Sequence, residues 1–143
     1  MQRQHEVHLP HADITEQIIG AFYEVHRELG HGFSETVYRR ATTIVLRHKG
    51  LDAVEEHLLS VKFRGSVIGT FHADIVVAGL ILVEVKVSST IEKYAEAQML
   101  NYLKAAGGGI GLLLNFGREP TYKRFAMGEN PIDSLPSIRA QHR

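Results

Sequence analysis

The sequence predicts one α/β (α+β) domain with a mixed central β-sheet flanked by helices, in the order ααβββαβ with a final short strand after it. Three observations lead there. Two segments of helical periodicity precede any strand pattern. Three runs of roughly period two follow, joined by short turns. A third helical segment then leads into a run that reads as fully buried, IGLLLNF, and a crossover of that kind places the new strand parallel to its neighbour.

The first helix is expected from Asp13, where Asp13 and Glu16 have capping-box spacing. Ile14, Ile18, Phe22, Val25 and Leu29 mark its apolar face, and Gly30 and Gly32 stop it. Ser34 is placed to cap a second helix with Val37, Tyr38, Ala41, Val45 and His48 along one face, closed by Gly50 at C′. An antiparallel meander follows: a strand from about Asp52 to Phe63, an RGS turn, a strand from about Val67 to Val77, and a strand from Leu80 to Val87. Thr90 or a neighbouring serine is expected to start the third helix, IEKYAEAQMLNYLKAA, which the glycines at 107 to 109 end. A fully buried strand, IGLLLNF, and a short one, TYKRFAM, complete the domain, expected to span 13–127. Residues 1–12, polar and with three histidines, read as a flexible arm, and 128–143, with Pro131 and Pro136, as a loose tail.

With 143 residues, 44% of them hydrophobic and 22% charged, the chain is expected to fold as one globular domain. Sixteen basic residues balance sixteen acidic ones, so no whole-chain field draws it to polyanions or membranes, and any nucleic-acid surface must be local. Without cysteine there is no disulfide framework and no thiolate metal site. The apolar runs are far below membrane-spanning length, and the start lacks the apolar core of a signal peptide, so a cytoplasmic location is expected. The nine histidines form no zinc-protease pattern.

The chemistry is concentrated in FHADIVVAGLILVEVKVSST, which carries Asp74, Glu84 and Lys86 inside apolar sequence. Alternation places Glu84 and Lys86 on one face of the third strand and Ile81, Val83 and Val85 on the other. A three-residue turn at Ala78 to Leu80 would set Asp74 opposite Glu84. Two carboxylates held close repel unless a proton or cation lies between them, and oxygen ligands of this kind suit Mg2+ or Mn2+. An ammonium two residues on suits metal-assisted hydrolysis. The same D and E-x-K pattern also fits a plain ion pair on a solvated sheet, and in isolation the motif does not choose between them.

Further motifs stand in a fixed order around it. GFSETVY, Gly32 to Tyr38, fits G-x-x-E-x-x-Y, follows AFYEVHRELGHG, and is succeeded by the D and E-x-K strands, AEAQMLNYLK and GLLLNFG. From about Asp13 to Phe125 this series resembles the GxxExxY family, a branch of the PD-(D/E)XK nuclease superfamily. The resemblance implies a restriction-endonuclease-like core and a Mg2+- or Mn2+-dependent phosphodiesterase acting on DNA, or on RNA. It matches Glu35, Asp74 and Glu84 to metal-holding carboxylates, assisted by the Val85 backbone carbonyl, and Lys86 to the catalytic lysine. Gln98 matches a glutamine that reaches the lysine or the substrate backbone; the histidine usual three residues earlier is here Ala95.

Other readings of the same residues stand beside these. Glu35 suits a helix N-terminus whatever the function. Tyr38, Tyr102 and His26 are expected as core or supporting residues near the site, His26 more as a hydrogen-bonded packing group than as a ligand. Basic residues such as Arg39, Arg40, Arg47, Lys49, Lys62, Arg64, Lys93, Lys104, Lys123 and Arg124 are dispersed, and no helix-turn-helix or zinc finger supplies base readout. A homodimer or a partner protein is therefore expected to contribute specificity. The rival functions are a noncatalytic nucleic-acid or protein interaction module on the same fold, and a hydrolase of small nucleotides.

Overall fold

The computed structural model describes residues 9–133. A five-stranded sheet lies between helices α1 (Ala12–Leu29) and α2 (Glu35–His48) on one face and α3 (Lys93–Ala105) on the other. Its strands are β1 (Ala53–Phe63), β2 (Ser66–Val77), β3 (Ile81–Lys86), β4 (Gly109–Phe116) and β5 (Pro120–Met127), hydrogen-bonded in that order. All pairs are antiparallel except β3 with β4, which the α3 crossover makes parallel, as expected.

The core follows from alternation on buried strands. Ile81, Val83 and Val85 of β3, with Ile110, Leu112, Leu114 and Phe116 of β4, pack against Ile18, Phe22, Tyr38 and Leu46 of the first two helices. Leu82 and Leu113 face the opposite way and meet Met99 and Leu103 of α3. Both faces of β4 are thereby covered, which is why every residue of it is buried and all but Asn115 are apolar or glycine. Gly111 lets α3 approach: a Cβ there would stand 2.5 Å from the Met99 sulfur.

Several local expectations need correction. The α1 N-cap is His11, in the left-handed region at φ 58, with no side-chain cap; Asp13 lies within the first turn, so the capping box does not form. The start of α1 is instead fixed by the chain before it, where Arg124 donates to the Pro10 carbonyl at 2.8 Å. The N-cap of α3 is Glu92, not Thr90 or a serine, and it too lacks a side-chain cap. On α2 the Ser34 cap forms, its Oγ accepting from Val37 N at 3.4 Å, but Val37 and His48 are exposed, and Thr42 and Leu46 hold the inner positions. Of residues 128–133, Ile132 is buried and its N donates to Gly79 O, while the other five are exposed. Residues 1–8 of the expected arm and 134–143 of the expected tail lie outside the described residues.

One feature of the sheet positions the site. β3 pairs with only the last three residues of β2, Ile75 to Val77, whereas β1 follows β2 to the hairpin tip. Ala53, Ile75 and Val77 belong to the α1/α2 side of the core, yet Leu59 and Ala73, an even number of residues away, belong to the α3 side. The ribbon thus rotates its faces between Glu55 and His57 and between Ala73 and Ile75. Glu56, opposite the rotating point, has φ 52, a strained left-handed conformation for a non-glycine residue. Asp74 sits where β2 parts from β3.

Candidate active site

The parting of β2 and β3 leaves backbone groups that the ladder no longer pairs, and two carboxylates take them up. The Asp74 N–H donates to Glu84 Oε2 at 3.0 Å, and the Val85 N–H donates to Asp74 Oδ2 at 2.7 Å. Each acid is thus fixed by the other strand's main chain, in the register that the three-residue turn implies. Glu84 is only 5% exposed. On the next outward position of β3, Lys86 Nζ donates to Gln98 Oε1 at 3.1 Å, so α3 holds the lysine head in place.

Burial raises the Glu84 carboxyl to about 8, and the Asp74 charge adds to the rise against smaller opposition from the Asp74 N–H and Lys86. Asp74 is also raised, chiefly by burial, although the Val85 N–H, Lys86 and Arg39 favour its charged form. Near neutral pH the pair accordingly retains a proton. Among the described residues no lysine, arginine or histidine forms an ion pair with either acid.

Glu35 stands at the first position of α2, placed by the Ser34 cap and by Tyr38. The buried Tyr38 stacks on Phe116 at 4.4 Å, donates to Gly30 O at 2.6 Å and accepts from Phe33 N, which fixes the loop leading into Glu35. Glu35 keeps solvent access, yet the protein packed about it raises its carboxyl; Lys86 lowers it and Asp74 raises it. Tyr102 stacks on Phe71 at 3.9 Å, and its phenol is raised by burial and then by the charges of Glu84 and Asp74. His26 lies elsewhere, its Nε2 2.8 Å from Gly117 O, joining α1 to the turn after β4.

Three residues shape the site without having been marked for it by sequence. Arg39, one helical turn after Glu35, bonds Glu55 at 2.8 Å and lies 3.7 Å from Glu56, so its charge acts on Asp74. Glu56 belongs to the face rotation itself. The fully buried Asn115 receives Ser88 N and donates to Ser88 O and Thr121 Oγ1, tying down the chain that leaves β3. Arg39 and Glu55 are sixteen residues apart, beyond any local pattern; for Asn115, the signal was an amide inside the apolar run IGLLLNF.

A family model described as the PD-(D/E)XK nuclease superfamily matches residues 12–125. The chain belongs to the PD-(D/E)XK nuclease superfamily. The class of chemistry that membership carries is nuclease-type phosphodiester hydrolysis, typically with a divalent metal and a nucleic-acid substrate. The comparison with curated proteins gives no match. A solved structure titled "Crystal structure of SSO0001" is 16% identical, over 92% of this chain and 84% of that one, with a TM-score of 0.43.

For this superfamily member, the donor chemistry of Asp74 and Glu84 fits a hard divalent cation: two adjacent oxygen ligands whose mutual repulsion and burial a cation would relieve. Among the described residues, however, no three His, Cys, Asp or Glu side chains converge on one metal position, and Glu35 stands on the solvent side of the pair. Among the described residues no helix is long and apolar enough to cross a membrane.

Proposed function

We propose that this domain is a metal-dependent nuclease that hydrolyses DNA, with RNA the second choice. The main support is the crossed Asp74 and Glu84 pair, with Lys86 tethered to Gln98 beside it. Asp74, Glu84 and the Val85 carbonyl would hold Mg2+ or Mn2+, and Glu35 would join them by a side-chain rotation from its exposed helix terminus. When bound, the metal would polarise the phosphoryl oxygen and make water more acidic.

The chain's own residues do the rest. Lys86, held by a neutral amide and not by a carboxylate, is left to act on the attacking water and the phosphoryl oxygens. Gln98 limits the positions of the ammonium and so fixes its aim. Arg39 keeps Glu55 and Glu56 engaged at the margin of the site. A second copy or a partner protein would supply specificity.

The test is a panel of single-stranded, double-stranded and branched DNA and RNA with Mg2+ or Mn2+. Wild-type protein is expected to cleave DNA forms best, and Lys86→Ala to cut the rate by about 100-fold or more. Mn2+ binding should be lost in Asp74→Ala. Absence of metal-dependent cleavage of every polynucleotide, with binding retained, would instead identify a noncatalytic module; cleavage of free nucleotides alone would identify a small-nucleotide hydrolase.

A further inference from the structure

The β1–β2 ribbon runs on past β3, and between it and α3 lies an open cleft of about 640 Å3. Its walls include Lys62 of β1, Phe71 of β2, and Asn101, Tyr102 and Lys104 of α3. Tyr102 connects the cleft to the candidate active site, since it lines the cleft and stands one helical turn after Gln98, which accepts from Lys86. We propose that this cleft holds an unpaired stretch of the nucleic-acid substrate next to the scissile phosphate, an inference that rests on the nuclease reading above.

Charge complementarity argues for a polyanion. Residues 57–73 of the ribbon contain Lys62 and Arg64 and no carboxylate, and residues 97–106 of α3 contain Lys104 and no carboxylate. Lys62 and Lys104 are exposed and make no ion pair among the described residues. Several other basic side chains are engaged: Arg39 with Glu55, Lys49 with Glu24, Lys123 with Glu96, and Arg47 with the Ala53 carbonyl. The acid at the cleft, Asp133, stands against Gly107 at the end of α3. In a chain of zero formal net charge this local excess is a distinguishing feature.

The aromatic content argues for single strands. Phe71 and Tyr102, stacked on each other at 3.9 Å, both line the cleft, and a ring face outside that pair is the kind of surface on which an unpaired base stacks. At the ribbon tip, Phe63 and Ile68 are 57% and 64% exposed and Arg64 lies over the Phe63 ring at 5.1 Å, continuing the same mixture of apolar and cationic surface. A cleft of this volume is in the size range of small-ligand sites, which suits unpaired bases better than a stacked duplex. Ser60 and Asn101 add neutral hydrogen-bonding groups that suit any base edge.

The experiment measures fluorescence anisotropy of labelled single-stranded and duplex oligonucleotides with the full chain in chelator, where binding is read apart from cleavage. Single strands should bind more tightly than duplex. Lys62→Ala with Lys104→Ala should weaken single-strand binding about tenfold and lower the slope of log affinity against log salt by about 1.4, about 0.7 for each phosphate that is no longer neutralised. Tyr102→Ala should weaken it further, and Tyr102→Phe should restore it, because the ring and not the hydroxyl carries the stacking. Circular dichroism of each variant separates a damaged site from a damaged fold, and a misfolded Tyr102→Ala leaves the two exposed lysines as the decisive pair. Unchanged affinity and salt slope in a folded lysine variant would overturn the proposal, as would a change only in its sedimentation, which would give the cleft to a second copy of the chain. Failure of metal-dependent cleavage alongside the expected binding would overturn the nuclease reading and leave the cleft as a single-strand site with no scissile phosphate beside it.

Discussion

The two halves of β3 present opposite solutions to burial. At the first half, Ile81 to Val83, backbone pairs run to β2 and β4 on both sides and every side chain is apolar. At the second half, Glu84 to Lys86, only β4 continues the ladder, and the β2 side is closed by carboxylates bonded to main-chain N–H groups. Hydrophobic burial stabilises the first half, while like charge and desolvation work against the second. The difference puts the electrostatic strain at Asp74 and Glu84 and its mechanical support a few residues earlier on β3.

Substitution at the apolar end has the largest expected effect. Leu82→Ala, facing Met99 and Leu103, should cost about 2–5 kcal/mol and lower the melting temperature by about 10 °C. Thermal unfolding checks it; a loss under about 1 kcal/mol would remove the contrast between the halves.

At the charged end the sign should reverse. Glu84→Gln removes an acid whose burial disfavours its charge, so the metal-free variant should melt about 3 °C or more above wild type near pH 8. The pH dependence follows from the same shift. Between the ordinary carboxyl value of 4.5 and about 8, the folded protein binds more protons at Glu84 than the unfolded chain does. Folding stability therefore falls as pH rises through that window, with Asp74 acting in the same direction. Metal-free melting curves from pH 5 to 8 should show the decline in wild type and a smaller one in Glu84→Gln.

Smaller effects concern how the site is held. Gln98→Ala frees the Lys86 head and should reduce cleavage about tenfold while leaving the melting temperature nearly unchanged. Tyr38→Phe removes the bonds to Gly30 O and Phe33 N and should cost about 1 kcal/mol, read by denaturant unfolding.

Much of this arrangement was readable from the residues because its determinants are local. The Ser34 cap, the glycine stops, the parallel crossover and the fully buried β4 each depend on neighbours in sequence. The register of Asp74 against Glu84 needed only the length of one turn. The starts of α1 and α3 were not readable, since neither has a side-chain cap and α1 is located by Pro10 meeting Arg124 from β5. The face rotation at Glu56 and Asp74 was hidden for a similar reason: alternation continues in the sequence while the ribbon turns in space to cover α3. Arg39 read as one dispersed cation until Glu55 was brought beside it.

Asp74 and Glu84 form a charge-strained pair, and the proposed function requires that a divalent cation relieve it. Melting temperatures of wild type and Glu84→Gln, with and without Mn2+ and at pH 5 and 8, test it most directly. Mn2+ should stabilise wild type clearly at pH 8 and less at pH 5, where protons compete for the same oxygens, and should have little effect on Glu84→Gln. An equal Mn2+ effect on both proteins, or none on wild type at pH 8, would contradict the account.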